Sequence, residues 1–147
     1  MSPSPSTPSK ATGTTRARAA DATADTSRVA RLCALAILVP GLGHALIGQM
    51  RKAAIFFVVL MTMFAVGLAF GGRLLPFALD EPLVFLGAGA QWVLLLPRIL
   101  AGLAGLGAGD VVSVTYEYGN TFLIVAGLLN ALITLDVYDL ATGRKPS

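Results

Sequence analysis

Four long runs of hydrophobic residues, separated by short polar stretches, occupy most of the chain after residue 28. Residues 53–70 carry no charge, and a helix of this length would extend about 27 Å. Because this length is close to the hydrocarbon thickness of a bilayer, the run predicts a transmembrane helix. The same reasoning predicts four spans, over residues 29–48, 53–70, 81–98 and 121–140.

The first run is interrupted by Pro40, Gly41 and Gly43, which are predicted to act as a hinge. Proline removes a backbone donor and the glycines loosen the helix, so the first span is predicted to be kinked. An arrangement in which this segment enters the membrane and returns to the same face stays open. His44, the one histidine of the chain, follows directly. We expect it to bond a backbone carbonyl that the kink leaves free, and the alternative is a functional role with partners from elsewhere.

Residues 99–120 are harder to assign. The third helix is predicted to end near Arg98, since Pro97 precedes it. Residues 99–109 are apolar and rich in glycine, which fits a re-entrant segment, an interfacial segment or a short second helix. Residues 110–120 alternate like a strand but have no visible partner, so we interpret them as an interfacial loop.

The flanking segments differ from the hydrophobic runs. Residues 1–27 contain mainly Ser, Thr, Pro and Ala, and they cannot bury enough surface to fold, so a disordered tail is predicted. Residues 28–142 form the predicted helical membrane domain, and residues 143–147 a short basic tail. The sequence therefore predicts an all-α integral membrane protein with about four transmembrane helices.

The composition supports lipid as the main solvent and first partner. Hydrophobic residues make up 55% of the chain and charged residues 13%, against about 25% charged residues in typical soluble domains. The basic residues lie at the edges of the apolar runs without a basic aromatic face, which excludes nucleic-acid binding. With four spans, eight basic residues fall inside the cell and two outside, Arg51 and Lys52. This bias predicts a multi-pass protein of the bacterial cytoplasmic membrane with both termini in the cytoplasm.

A few polar side chains lie within the apolar runs, and the functional interpretation depends on them. They are Gln91, Arg98, Asn130 and Asp136. Polar groups of this kind either bond to neighbouring helices or mark a transport path. A water-filled cavity joining them would favour transport, whereas bonds to neighbouring helices would favour a scaffold. The arginines at the start of the first run, Arg28 and Arg31, are the expected partners of Asp136 and Asp139.

No pattern of residues indicates a catalytic, cofactor-binding or metal site, so we do not expect an enzyme. The favoured function is that of a structural or interaction protein, either a scaffold or an accessory subunit. The alternative is a small oligomeric transporter or channel. Small residues spaced four apart offer helix faces for other membrane proteins or a second copy.

Two stretches of the sequence resemble known protein families. PGLGH, followed by a basic turn and an apolar span, is similar to the opening hairpin of the two-transmembrane-helix domain proteins. EYGNTFLIVAGLLNALITLDVYDLATGRK, residues 117–145, resembles the C-terminal signature of an uncharacterised bacterial membrane-protein family, domain of unknown function 6677. The resemblance covers about residues 30–145. It implies a small multi-span protein of the cytoplasmic membrane, without a known activity, substrate or site residue.

Overall fold

Helices make up most of the chain that the structure describes. A computed structural model gives residues 11–144, with side chains from residue 25 onward. Its helices are α1 (Ala11–Leu38), α2 (Leu42–Leu46), α3 (Met50–Ala69), α4 (Pro82–Trp92), α5 (Leu95–Leu103) and α6 (Tyr116–Ala141). Within this range no strand forms, and an isolated antiparallel bridge joins Arg73 to Ala108. The all-α class is therefore confirmed for these residues.

Helices α3 and α6 pack against each other in opposite directions, and both are long and apolar enough to cross a membrane. A Cβ atom on Gly67, near the end of α3, would lie 2.8 Å from Cγ of Leu123 in the first half of α6. Lys52, near the start of α3, shares a groove with Asp136, near the end of α6. The second predicted span corresponds to α3, and the fourth to α6, which begins five residues earlier, inside the stretch interpreted as a loop. We call the end where α3 begins and α6 ends the near end, and the opposite end the far end.

The first predicted span is broken into α1 and α2, and the chain reverses at the break. The carbonyl of Ala36, close to the end of α1, accepts a hydrogen bond from Asn130 in the middle of α6. After the break, Gly43 packs against Val137, which is about 10 Å nearer to the near end along α6. The single kinked span predicted over residues 29–48 is therefore wrong, since this segment forms two helices that run in opposite directions. Helix α1 runs inward from the near end, and α2 returns to it.

The residues assigned to the hinge explain why the chain can reverse here. Pro40 supplies no backbone N–H, so α1 cannot continue through it. Gly41 has a φ of 80°, in the left-handed region that favours glycine. A Cβ atom on Gly41 would also lie 2.5 Å from the carbonyl oxygen of Ala53, so α3 packs directly on this turn.

The third predicted span is also broken, into α4 and α5, whose axes differ by 101°. The sequence predicted one helix over residues 81–98 that would end near Arg98. Instead α4 ends at Trp92, and α5 begins at Leu95. Pro97 lies in the first turn of α5, where a missing backbone N–H removes no helical hydrogen bond. The Pro97–Arg98 step therefore starts a helix and does not end one.

Both ends of the α4–α5 pair lie at the far end. On the way in, a Cβ atom on Gly87 would lie 3.3 Å from Cδ1 of Ile124, in the first half of α6. At the exit, the N–H of Leu74, just after α3, donates to the carbonyl of Gly107 over 2.8 Å. Between them, the carbonyl of Val93 is bonded to the middle of α6. The pair therefore reaches the middle of α6 and returns.

The hydrophobic core lies where this second break packs against α3 and α6. Its buried members are Leu60, Phe64, Leu94, Ala101, Leu123 and Ala126. Gly127 permits the closest approach, because a Cβ atom there would overlap the carbonyl group of Ala90.

The predicted tails lie partly outside the described residues. Residues 1–10 and 145–147 are not described, and α1 begins at Ala11, within the predicted tail over residues 1–27. Alanine and arginine, both strong helix formers, are frequent between residues 11 and 20. At the other end, Gly143 has a φ of 71° directly after α6, as expected for a helix C-terminal cap.

Candidate functional site

A buried histidine and a carboxylate form a hydrogen-bonded pair close to the near end. The short helix α2 carries His44, whose side chain is fully buried, and its Nε2 lies 2.9 Å from Oδ2 of Asp136 in α6. Opposite an ionised carboxylate, Nε2 carries the hydrogen and donates it. The expected bond from His44 to a backbone carbonyl is therefore corrected. The structure gives His44 as a partner of Asp136, and Nε of Arg31, one of the partners expected from the sequence, donates to the carbonyl of Ser27.

Phe56 connects this hydrogen-bonded pair to the surface of α3. Its ring meets the imidazole of His44 edge-on, with ring centroids 5.0 Å apart. Nδ1 of His44 is buried and has no hydrogen-bond partner among the described residues. The imidazole is thus fixed by one strong polar contact and one aromatic contact.

The side chain of Asp136 lines a groove between α3 and α6, which has a volume of about 530 Å³. Its lining consists of Lys52, Ile55, Phe56, Val59, Leu60, Leu129, Leu132, Ile133 and Asp136. Lys52 and Asp136 are the only polar members of this lining, and both lie toward the near end. The groove therefore combines a hydrocarbon-like interior with one positive and one negative group.

Asn130 joins the two broken segments to α6. It is fully buried, and its Nδ2 donates to the carbonyl of Ala36 over 3.2 Å and to that of Val93 over 2.8 Å. These carbonyls belong to the end of α1 and to the break after α4, where no helical N–H follows to bond them. One amide group thus bonds the backbone of both broken segments in the middle of α6.

A second polar cluster stabilises the α4–α5 pair. The guanidinium of Arg98 donates from Nη1 to Oε1 of Gln91 over 2.6 Å and from Nη2 to the carbonyl of Leu75 over 2.5 Å. Gln91 also donates to the carbonyl of Arg73 and accepts from the N–H of Leu75. The Arg98 guanidinium lies 4.8 Å from the centroid of the Trp92 ring, a distance at which a cation and an aromatic face attract.

The polar residues selected from the sequence therefore separate into three groups, not one site. His44 and Asp136 form the first, Gln91 and Arg98 the second, and Asn130 stands between the two breaks. Sequence reasoning missed Lys52 and Phe56 as neighbours of the His44–Asp136 pair. A basic residue at the edge of an apolar run is usual in any membrane protein, so this sequence signal could not have singled out Lys52.

The chemistry of these groups favours binding and positioning. Among the described residues, no three His, Cys, Asp or Glu side chains come together as metal ligands. The His44–Asp136 pair can hold a proton between its two atoms and can present a carboxylate to a cationic group in the groove. Gln91 and Asn130 bond mainly to backbone groups of the protein itself.

Comparison with known proteins gives one family. A search of curated proteins finds no significant match, and a search of solved structures finds none. The sequence model of a family of unknown function, DUF6677, matches residues 31–146, from within α1 to beyond the end of α6. Since this match covers most of the chain, the resemblance to this family is confirmed, and the chain belongs to the DUF6677 family.

Proposed function

We propose that the protein is a structural or accessory protein of the bacterial cytoplasmic membrane. Helices α3 and α6 cross the bilayer, and the two broken segments enter it from opposite faces and meet near its middle. The observation that carries this proposal is the pair of hydrogen bonds from Asn130 to the two breaks. In hydrocarbon, each unbonded carbonyl costs several kcal/mol, so broken helices need such a partner.

The depth of Asn130 fits this arrangement. It lies about 21 Å along α6 from Tyr116 and about 16 Å from Ala141, on a helix of 26 residues. The broken segments that it bonds therefore end close to the bilayer centre. A polar group at this depth needs partners inside the protein, and the amide nitrogen of Asn130 has two.

The charge distribution supports cytoplasmic termini. On the two-crossing arrangement, Arg28, Arg31, Arg51, Lys52 and Arg144 all belong to the near end. Arg73 belongs to the far end, and Arg98 is buried. This bias is stronger than on the four-span arrangement, which leaves two basic residues outside. The positive-inside rule therefore favours a cytoplasmic near end.

The bonding of the polar residues favours a scaffold over a transporter. Gln91 and Asn130 are fully buried and bond to backbone groups, while Asp136 bonds to a histidine. A transport path would require such groups to face a water-filled space. Because these side chains bond to groups of the protein itself, they favour a structural role.

Cysteine labelling distinguishes the two-crossing from the four-span arrangement. Cys33 is first replaced by serine, and single cysteines are introduced at Met50, Leu79 and Val112, which are 67%, 86% and 88% exposed. A membrane-impermeant maleimide added to intact cells should label positions 79 and 112 but not 50. Four spans would expose position 50 and protect position 79. Val112 is the control, because both arrangements place it outside the cell.

Reconstitution tests the scaffold against the transporter. In proteoliposomes loaded with a pH-sensitive dye, or with potassium and an indicator, we expect no more leak than in protein-free vesicles. A leak that depends on the protein, and that Asn130→Ala abolishes, would contradict the structural role and establish transport.

A further inference from the structure

The groove between α3 and α6 has one cation and one anion at the same end and only apolar residues beyond them. We propose that this groove binds one aminophospholipid of the inner leaflet. Its phosphate bonds Lys52, its primary ammonium bonds Asp136, and one acyl chain lies along the apolar part. This inference deepens the proposed function, because it requires α3 and α6 to lie in a bilayer.

The position of the groove fits a lipid that spans from headgroup to hydrocarbon. Lys52 is the third residue of α3, so it lies at the edge of the bilayer. From Lys52 to Leu60 the groove extends about 12 Å along α3 toward the membrane centre. Ile55 and Val59 are 60% and 47% exposed in the protein alone, so the apolar part is open to an acyl chain.

The charges select the headgroup. A phosphoethanolamine group carries a phosphate and a primary ammonium, which match one lysine and one carboxylate. A glycerol headgroup has no cationic group to offer the carboxylate, so its phosphate would meet a like charge in the groove, which is unfavourable. A choline headgroup has no N–H, so it cannot donate a hydrogen bond to the carboxylate.

His44 acts here as a positioning residue. Its Nε2 holds Oδ2 of Asp136 at 2.9 Å, and its ring packs against Phe56, which itself lines the groove. A carboxylate accepts several hydrogen bonds, so the contact with His44 leaves it able to accept an ammonium group. The buried histidine thereby fixes the carboxylate at the mouth of the groove.

Native mass spectrometry of the full chain tests the proposal. The protein is released from nanodiscs that contain equal amounts of phosphatidylethanolamine, phosphatidylglycerol and phosphatidylcholine. We expect one retained phosphatidylethanolamine per chain. Lys52→Gln should lower its retention about tenfold, the effect of one lost charge-assisted hydrogen bond. Asp136→Asn should lower it similarly and shift the preference toward phosphatidylglycerol. Arg51→Gln is the matched control, since Arg51 does not line the groove, and it should change retention less than twofold.

Several results would overturn the proposal. Equal retention of ethanolamine and choline lipids would exclude the ammonium contact, and a preference of the unmodified protein for phosphatidylglycerol would exclude the headgroup assignment. If no lipid is retained while the cysteine labelling is as expected for two crossings, only the lipid site is rejected and the proposed function stands. If the labelling also fails, the proposed function fails with it. His44→Gln should reduce ethanolamine selectivity while total lipid binding persists, which a purely structural role would not produce.

Discussion

Replacing Asn130 by alanine removes the one side chain that bonds both broken segments. Two hydrogen bonds are lost, of 2.8 Å and 3.2 Å, and two carbonyls are left inside the protein without that partner. Side-chain hydrogen bonds within membrane proteins average about 0.6 kcal/mol each and reach about 1.7 kcal/mol. We therefore expect Asn130→Ala to lower the free energy of unfolding by about 1–3 kcal/mol.

The chain contains its own probe for this measurement. Trp92, the only tryptophan, is the last residue of α4, beside the break that Asn130 bonds. Its ring stacks on Phe77 with centroids 5.8 Å apart, so its fluorescence should change when the break separates from α6. Titration of dodecylmaltoside micelles with SDS, followed by this fluorescence, gives the free energy of unfolding of each variant.

Two further variants separate hydrogen bonding from loss of volume. Asn130→Asp keeps the size of the side chain but replaces the donating amide by an oxygen that faces two carbonyls. We expect it to destabilise at least as much as alanine, whereas a pure cavity effect would leave it harmless. Thr134→Ala is the control one turn away, because Thr134 bonds the carbonyl of Asn130 within α6 itself. A loss for Asn130→Ala no larger than that of Thr134→Ala would refute the role assigned to Asn130.

Three other substitutions probe packing and charge, each measured by the same titration. Gly127→Ala should destabilise the protein by about 1–3 kcal/mol, because its Cβ would overlap the carbonyl of Ala90. Gly89→Ala is the control and should be neutral or slightly stabilising, because a Cβ there would have no atom within 4 Å. Equal effects of the two substitutions would contradict the close approach at Gly127. His44→Ala and Asp136→Asn should be less than additive when combined, since Asp136→Asn removes the charge from the acceptor of the bond that His44→Ala removes, and strict additivity would show that the two residues do not interact. Arg98→Lys should destabilise by about 1–3 kcal/mol, because an ammonium cannot donate to Gln91 and to the Leu75 carbonyl in the same fork geometry, and an unchanged midpoint would refute this contribution.

The sequence predicts α3 and α6 well because each is a long apolar run without proline or a central charge. It does not predict what happens at the two breaks. A Pro–Gly pair in an apolar run indicates a bend, but its angle depends on what packs against it, here Ala53 and Val137. These partners lie in other helices, and no local pattern identifies them.

The polar residues show the same limit. Asn130 and Asp136 are visible in the sequence as exceptions within an apolar run, so their importance can be anticipated. Their partners cannot be anticipated in the same way. The partners of Asn130 are two backbone carbonyls, which every residue has, and the partner of Asp136 is 92 positions earlier in the chain. Charge alone favoured the arginines at the start of the first run over a neutral histidine.

The central position of α6 has a consequence for how the protein is made. Helix α6 leaves the ribosome after the other described helices, yet it packs against α1, α3 and α4 and supplies the amide that bonds both breaks. Until it enters the membrane, the carbonyls of Ala36 and Val93 lack that partner in a solvent that offers none. The two earlier broken segments are therefore expected to stay near the translocon or at the bilayer surface during synthesis. Their final insertion then follows the completion of α6. A nascent chain stalled before residue 130 should be a substrate for membrane proteases.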